Sequence, residues 1–278
     1  VTSYKNAPTR TLTAGGVTFA YRELGPRSDV PVVFLTHLAA VLDNWDPRVV
    51  DGIAAKRRVI TFDNRGVGAS SGSTPRTIAA MAKDAVTFIR ALGFEQVDLH
   101  GFSMGGMVAQ VIAQTDPGLV RKLILTGTGP AGGEGIKNVT WLSHLDTVRG
   151  LFTLQDPKQF LFFTRTAGGR RAGKEFLGRL KERTQGRDKA ISPISYSNQL
   201  KAIHRWGLER PQDLSVIRQP VLVANGESDR MVPSQNSHDL ARRLPNGELV
   251  IYPDAGHGGI FQFHQQFVET ALEFLERQ

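Results

Sequence analysis

The segment best suited to covalent chemistry is a serine set between glycines, Gly101-Phe102-Ser103-Met104-Gly105. A serine hydroxyl is a weak nucleophile until an imidazole takes its proton, and a carboxylate must orient that imidazole. A Gly-x-Ser-x-Gly pentapeptide supplies such a nucleophile when it marks a sharp turn from strand to helix. That context is present, because the apolar run Gln96-Val97-Asp98-Leu99-His100 leads in and the helical pattern Met107, Val108, Val111, Ile112 leads out. The imidazole with the best address is His257, in the glycine-flanked loop Tyr252-Pro253-Asp254-Ala255-Gly256-His257-Gly258-Gly259. Asp229 lies just past the preceding strand-like run, with Glu227 and Asp254 as alternative carboxylates nearby. The chain order is Ser103, Asp229, His257.

The elements that must position these residues alternate between strand and helix, which is the pattern of a mostly parallel sheet covered on both faces. Val17 to Arg22 alternates in polarity like a half-exposed edge strand, the first of the series. Val32 to Thr36, Val59 to Phe62, Val97 to His100, Leu123 to Thr126, Val221 to Ala224 and Leu249 to Tyr252 are short and mostly apolar, as central parallel strands are. Apolar residues at three- and four-residue intervals predict helices over Ile78 to Leu92, Met104 to Thr115, Ser234 to Leu244 and Phe261 to Glu276. The rhythm breaks after Gly127, where glycines and helical patterns such as Phe152 to Phe163 replace strands until about Leu214. The expected division is a core of residues 1–129 and 214–278 with a helical cap inserted at 130–213.

On these residues the chain resembles the α/β-hydrolase fold family over essentially its whole length. Asp63-Asn64-Arg65-Gly66-Val67-Gly68-Ala69-Ser70 is similar to that family's Asp-x-Arg-Gly-x-Gly-x-Ser loop, and the order of the three candidate catalytic residues matches as well. The resemblance implies an α/β fold of about eight mostly parallel strands with helices on both faces. It also implies a cofactor-independent serine hydrolase in which Ser103 attacks, His257 carries the proton and Asp229 steadies the imidazolium. An oxyanion hole would come from the backbone amides of Met104 and Ala39, with Leu38 standing where many relatives have glycine and leaving the choice between Ala39 and Leu38 open. The substrate expected is a small acyl compound such as a carboxylic ester or lactone. Phe102-Ser103-Met104-Gly105-Gly106 also resembles the metal-free haloperoxidase or perhydrolase branch, and a cofactor-free dioxygenase or a ligand receptor on the same fold are further readings.

Leu38, Trp45, Phe102 and Phe163 are candidate pocket residues, and Phe152, Phe160, Phe162 and Trp206 could serve a cap that turns apolar side chains inward. His37 and His100 are expected to hold loops by local hydrogen bonds rather than to transfer protons. The 278 residues carry no cysteine, which removes disulfides, thiolate metal sites and cysteine nucleophiles together. No metal ligand cluster is recognisable and no cofactor is implied. A formal net charge of +8 would suit nucleic acid only if clustered. The densest region, Arg165, Arg170, Arg171, Lys174, Arg179, Lys181, Arg183, Arg187 and Lys189, is interrupted by Glu175, Glu182 and Asp188 and reads as a solvated face, so no nucleic-acid partner is expected. Gly168 to Lys174 has the spacing of a phosphate-binding loop but continues with Glu175, and Gly66 to Ser71 misses the last glycine of a dinucleotide fingerprint. No run approaches the ~18 apolar residues of a membrane span. The start Val1-Thr2-Ser3 lacks an initiator Met and an apolar leader, so a trimmed, cytoplasmic protein is expected. A homodimer through the cap is left open.

Overall fold

The apolar runs form one eight-stranded sheet in the computed structural model, which describes residues 2–277. The strands are β1 (Arg10–Ala14), β2 (Val17–Leu24), β3 (Val32–Leu35), β4 (Val59–Phe62), β5 (Val97–Phe102), β6 (Val120–Thr126), β7 (Val221–Gly226) and β8 (Gly247–Tyr252). Their spatial order is β1-β2-β4-β3-β5-β6-β7-β8, with β1, β2 and β4 paired antiparallel and every other pair parallel. Every residue of β3, β4, β5 and β7 is buried, as expected where helices cover both faces of a sheet.

The helices are α1 (Pro47–Ala54), α2 (Ile78–Ala91), α3 (Met104–Thr115), α4 (Val139–Thr153), α5 (Lys158–Phe162), α6 (Ala167–Leu180), α7 (Pro193–Leu208), α8 (Gln235–Arg243), α9 (Gly259–Gln262) and α10 (His264–Glu276). α2 packs beside α3, and α1 beside α10. The four central strands most deeply set, and the helices α2, α3 and α8, lie within a residue or two of their predicted bounds. β1 is an addition: Gly15 and Gly16, both at positive φ, close a two-residue hairpin that pairs Ala14 with Val17. The expected helix from Phe152 to Phe163 is instead broken. α4 stops at Thr153, Leu154 adopts φ 54°, and α5 begins only after Pro157, which disfavours helical backbone in the residue before it. The expected helix from Phe261 is likewise split at Phe263 into α9 and α10.

Between β6 and β7 the chain holds α4 to α7 and no strand. This insertion is tied to the sheet domain by charges that were expected to face water. Arg179 of α6 grips the Asp46 carboxylate through Nε and Nη2 at 2.7–3.0 Å, and Asp46 is fully buried. Arg183 is buried too and donates to the carbonyls of Lys5 and Ala7. Asp43 accepts from the buried Arg22 at 2.6 Å and from the Asp188 amide at 2.8 Å, joining β2 to the link between α6 and α7. Two of the nine basic residues in that region are thus structural rather than solvated, because each finds carboxylate or carbonyl partners inside. Gly168 to Lys174 lies within α6, with no strand leading into it, so it does not form a phosphate-binding loop. No described helix is long and apolar enough to cross a membrane.

The join of β5 to α3 depends on two glycines. A Cβ on Gly105 would lie 1.9 Å from the Leu35 carbonyl oxygen at the end of β3, and one on Gly101 would lie 2.4 Å from the Gly105 carbonyl oxygen. Both neighbours are backbone and cannot rotate aside. Gly105→Ala should therefore destabilise the protein at or above the upper end of the ~1–3 kcal/mol typical of overpacking. Its unfolding temperature, compared with that of Gly118→Ala, where nothing lies within 4 Å of the added Cβ, checks this; equal temperatures would refute the tight join.

Candidate active site

Ser103 occupies the turn between β5 and α3 at φ 55°, ψ −116°, a conformation that a residue with a Cβ adopts only under constraint. Its amide donates to the Thr126 carbonyl at 2.8 Å, and its carbonyl accepts from Thr128 Oγ1 at 2.8 Å, so β6 and the segment after it pin the turn from the side. Met104 is the first residue of α3. Its amide has no intrahelical acceptor by helix geometry and donates to no carbonyl among the described residues. It is free to meet an anion at the positive end of the helix dipole.

His257 and Asp229 are both buried and directly joined, Nδ1 to Oδ2 at 2.7 Å. The other carboxylate oxygen of Asp229 accepts the amides of Met231 and Val232 at 2.8 and 3.0 Å, which fixes the plane of the carboxylate. A carboxylate can only accept, so His257 Nδ1 carries a proton and donates it to Asp229, and in the neutral ring Nε2 is the nitrogen with the lone pair. Nε2 is buried and has no protein partner among the described residues. Ser103 and His257 line the same cavity of about 270 Å³, although no hydrogen bond joins Ser103 Oγ to Nε2. The competing carboxylates are elsewhere: Asp254 accepts from Thr164 and Thr166 at the surface, and Glu227 is exposed.

The turn after β3 carries the remaining expected donor. Ala39 has φ 62°, and the Ala40 amide closes a turn onto the His37 carbonyl at 3.2 Å. His37 Nδ1 donates to the Leu38 carbonyl at 2.8 Å. Burial pushes the His37 imidazole down to about 3, so it is neutral at ordinary pH and carries one proton, on the nitrogen that makes this bond. The Ala39 amide is itself engaged, donating to Gln199 Oε1 of α7 at 2.8 Å. Gln199 is fully buried, and its Nε2 has no partner among the described residues. The Asp63 to Ser70 loop braces the same region, with Asp63 Oδ1 accepting the Leu42 amide at 2.9 Å and Ser70 Oγ donating to the Asp63 carbonyl at 2.8 Å. Burial, reinforced by Asp188, raises the Asp63 carboxyl well above the usual carboxylate range.

Of the four expected pocket residues, only Leu38 lines the cavity with Ser103. Trp45 is core, edge-on to Phe34 and tilted against His100. Phe102 is fully buried beneath the site, its ring 5.0 Å from the His257 ring and 5.2 Å from the His37 ring, so it supports residues of the cavity without lining it. Phe163 packs on Phe176 and borders a different cavity. Phe152 points to solvent rather than inward. The cavity is instead completed by Ser143 and Thr147 of α4, Leu161 and Phe162 of α5, Tyr196 of α7, and Ile191 and Met231, with Asp156 and Lys158 paired at 3.5 Å among the lining residues. Ser143 and Thr147 are one helical turn apart, which is a legible signal of a shared face, but a polar pair on a helix ordinarily reads as the solvent side.

Residues 30–263 match the α/β-hydrolase fold family. The chain belongs to this family. Its structure is similar to that of an α/β-hydrolase fold protein from Chitinophaga pinensis, at 38% identity, full coverage of both chains and a TM-score of 0.95. In sequence it is 30% identical to a RutD protein of Caulobacter sp. (strain K31), named as a provisional carbamate hydrolase, over 94% of this chain and 97% of the relative. It is 26% identical to a pimeloyl-[acyl-carrier protein] methyl ester esterase of Aliivibrio salmonicida (strain LFI1238), over 84% and 87% of the two chains.

Proposed function

We propose that the protein is a serine hydrolase of a small carboxylic ester, lactone or related acyl compound, working through an acyl-enzyme on Ser103. The observation that carries this reading is the 2.7 Å bond from His257 Nδ1 to Asp229, which leaves Nε2 unpartnered beside the cavity that Ser103 lines. Ser103 Oγ attacks the carbonyl carbon while its proton passes to Nε2. Asp229 steadies the imidazolium, and the tetrahedral intermediate collapses as Nε2 returns the proton to the departing alkoxide. Water then gives a proton to Nε2 and attacks the acyl carbon, and Ser103 Oγ recovers that proton as the acid leaves.

The Met104 amide holds the oxyanion. The Ala39 amide joins it once it gives up Gln199 Oε1, a change favoured because an anionic oxygen accepts a hydrogen bond more strongly than a neutral amide oxygen does. Helices α4 to α7 serve as a cap over the site, and its core-facing residues size the substrate. A cavity of about 270 Å³ sits at the small end of ligand sites, and its mixed lining suits a short apolar acyl group with one polar position near Ser143 and Thr147. The names of the relatives agree in type, since esters and carbamates are both cleaved at an acyl carbonyl.

On a panel of chromogenic esters of graded acyl length, the wild type should prefer short chains, and Ser103→Ala should abolish turnover without lowering the unfolding temperature. Asp229→Asn should reduce kcat by about 10⁴-fold, as expected when the imidazole loses its correct tautomer. Turnover retained by Ser103→Ala would refute the acyl-enzyme. Gln199→Leu removes the competing acceptor and should raise kcat/KM several-fold, the equivalent of a bond worth ~1 kcal/mol. A fall with unchanged stability would instead mean that Gln199 holds the Ala39 turn in its working shape.

A further inference from the structure

Helix α4 is turned inside out. A helix on a protein surface normally buries its apolar stripe. α4 buries Val139, Ser143, Asp146 and Gly150, mostly small or polar, and Asp146 there lies 3.4 Å from Arg230. Its outer face presents Trp141, Leu145, Val148 and Phe152, which are 61%, 45%, 49% and 86% exposed. The spacing of these four is four, three and four residues, the alternating interval of a seam between two packed helices.

We infer that this stripe is the contact between two copies of the chain, with α4 crossing its counterpart antiparallel about a twofold axis. The order of residues along the stripe is self-complementary in that arrangement. Placing Trp141 opposite Phe152 of the second copy also places Leu145 opposite Val148, and the reverse pairs follow by symmetry, as an isologous interface requires. Each layer then sets a large side chain against an apolar one, and no charge lies in the seam. With Leu151 and Leu154, 73% and 94% exposed, beside it, the stripe offers on the order of 700 Å² of apolar surface per copy, taking ~150–250 Å² for each fully exposed large side chain. That is close to the ~800 Å² each partner gives to a stable interface and above the ~300–600 Å² of the largest patch on a typical monomer.

A groove of about 720 Å³ between α4 and α7, bordered by Trp141, His144, Tyr196 and Leu200, adjoins the stripe and offers room for the protruding side chains of the partner. A membrane surface is the weaker occupant. An interfacial helix turns a basic polar face to the headgroups, whereas the polar face of α4 is packed inward, and its one arginine, Arg149, is stacked 4.2 Å from the Phe160 ring centroid. The dimer would also bear on the active site, because Ser143 and Thr147 on the other side of the same helix line the cavity of Ser103.

Sedimentation of the full chain from micromolar to tenth-millimolar concentration tests this. The wild type should sediment as a dimer. Leu145→Glu and Val148→Lys, each in an exposed position, should weaken the dimer at least about 100-fold by burying an unpaired charge, with unfolding behaviour retained. The two substitutions combined in one chain should restore the dimer, since antiparallel pairing sets each new charge opposite its complement. A wild type that remains monomeric throughout would overturn the proposal, as would a dimer indifferent to either charge. Failure of the double variant to re-pair would overturn the antiparallel arrangement. A monomer that instead floats with phosphatidylglycerol vesicles would assign the stripe to a membrane.

Discussion

The site rests on the approach of backbone to backbone where β5 turns into α3. Ser103 can hold φ 55° only because the first turn of α3 is pressed onto the end of β3 and Gly101 lies under Gly105, with no room for a Cβ at either glycine. Strain of this kind costs about 1–3 kcal/mol and persists only when the surroundings overdetermine it. Here the surroundings are the buried central strands and the hydrogen bonds from the Ser103 backbone to β6 and Thr128. The same packing sets the free amide of Met104 beside the serine, so the proposed nucleophile and the proposed oxyanion donor share one turn.

The proposed partners of the serine come from distant segments held by the same sheet. Asp229 and His257 follow β7 and β8, and the parallel register of β6, β7 and β8 brings their carboxyl ends to the end of β5. Burial makes the His257–Asp229 bond directional, because each group loses water and must find its partner inside. His37 is neutral for a related reason, desolvation, and its single proton is spent on the Leu38 carbonyl, which holds the turn that carries Ala39.

What could be read from the sequence was what local pattern encodes. The strand, the pentapeptide and α3 were legible because alternating glycines and three- and four-residue apolar spacing are short-range signals. The β1–β2 hairpin leaves a weak trace although Gly15-Gly16 announces it, because Arg10 to Ala14 is a largely exposed edge with little apolar content. The pocket was the least legible part. Trp45, Phe102 and Phe163 are large and apolar, yet burial in a core satisfies such residues as well as a cavity does, and only tertiary packing separates the two. Ser143 is hidden for the opposite reason, since a polar residue on α4 reads as solvent-facing until the burial of that face is seen, while Thr147 lines the cavity and stays exposed. The engagement of the Ala39 amide by Gln199, 160 residues away in the chain, has no local signal at all.

The proposed mechanism requires Ser103 to be an activated nucleophile, and covalent trapping with a fluorophosphonate, located by peptide mass spectrometry, tests that most directly. One phosphonyl group per chain, on Ser103, should form in the wild type and be lost in His257→Ala. A label on another residue, or an unlabelled Ser103 in a folded wild-type protein, would contradict it.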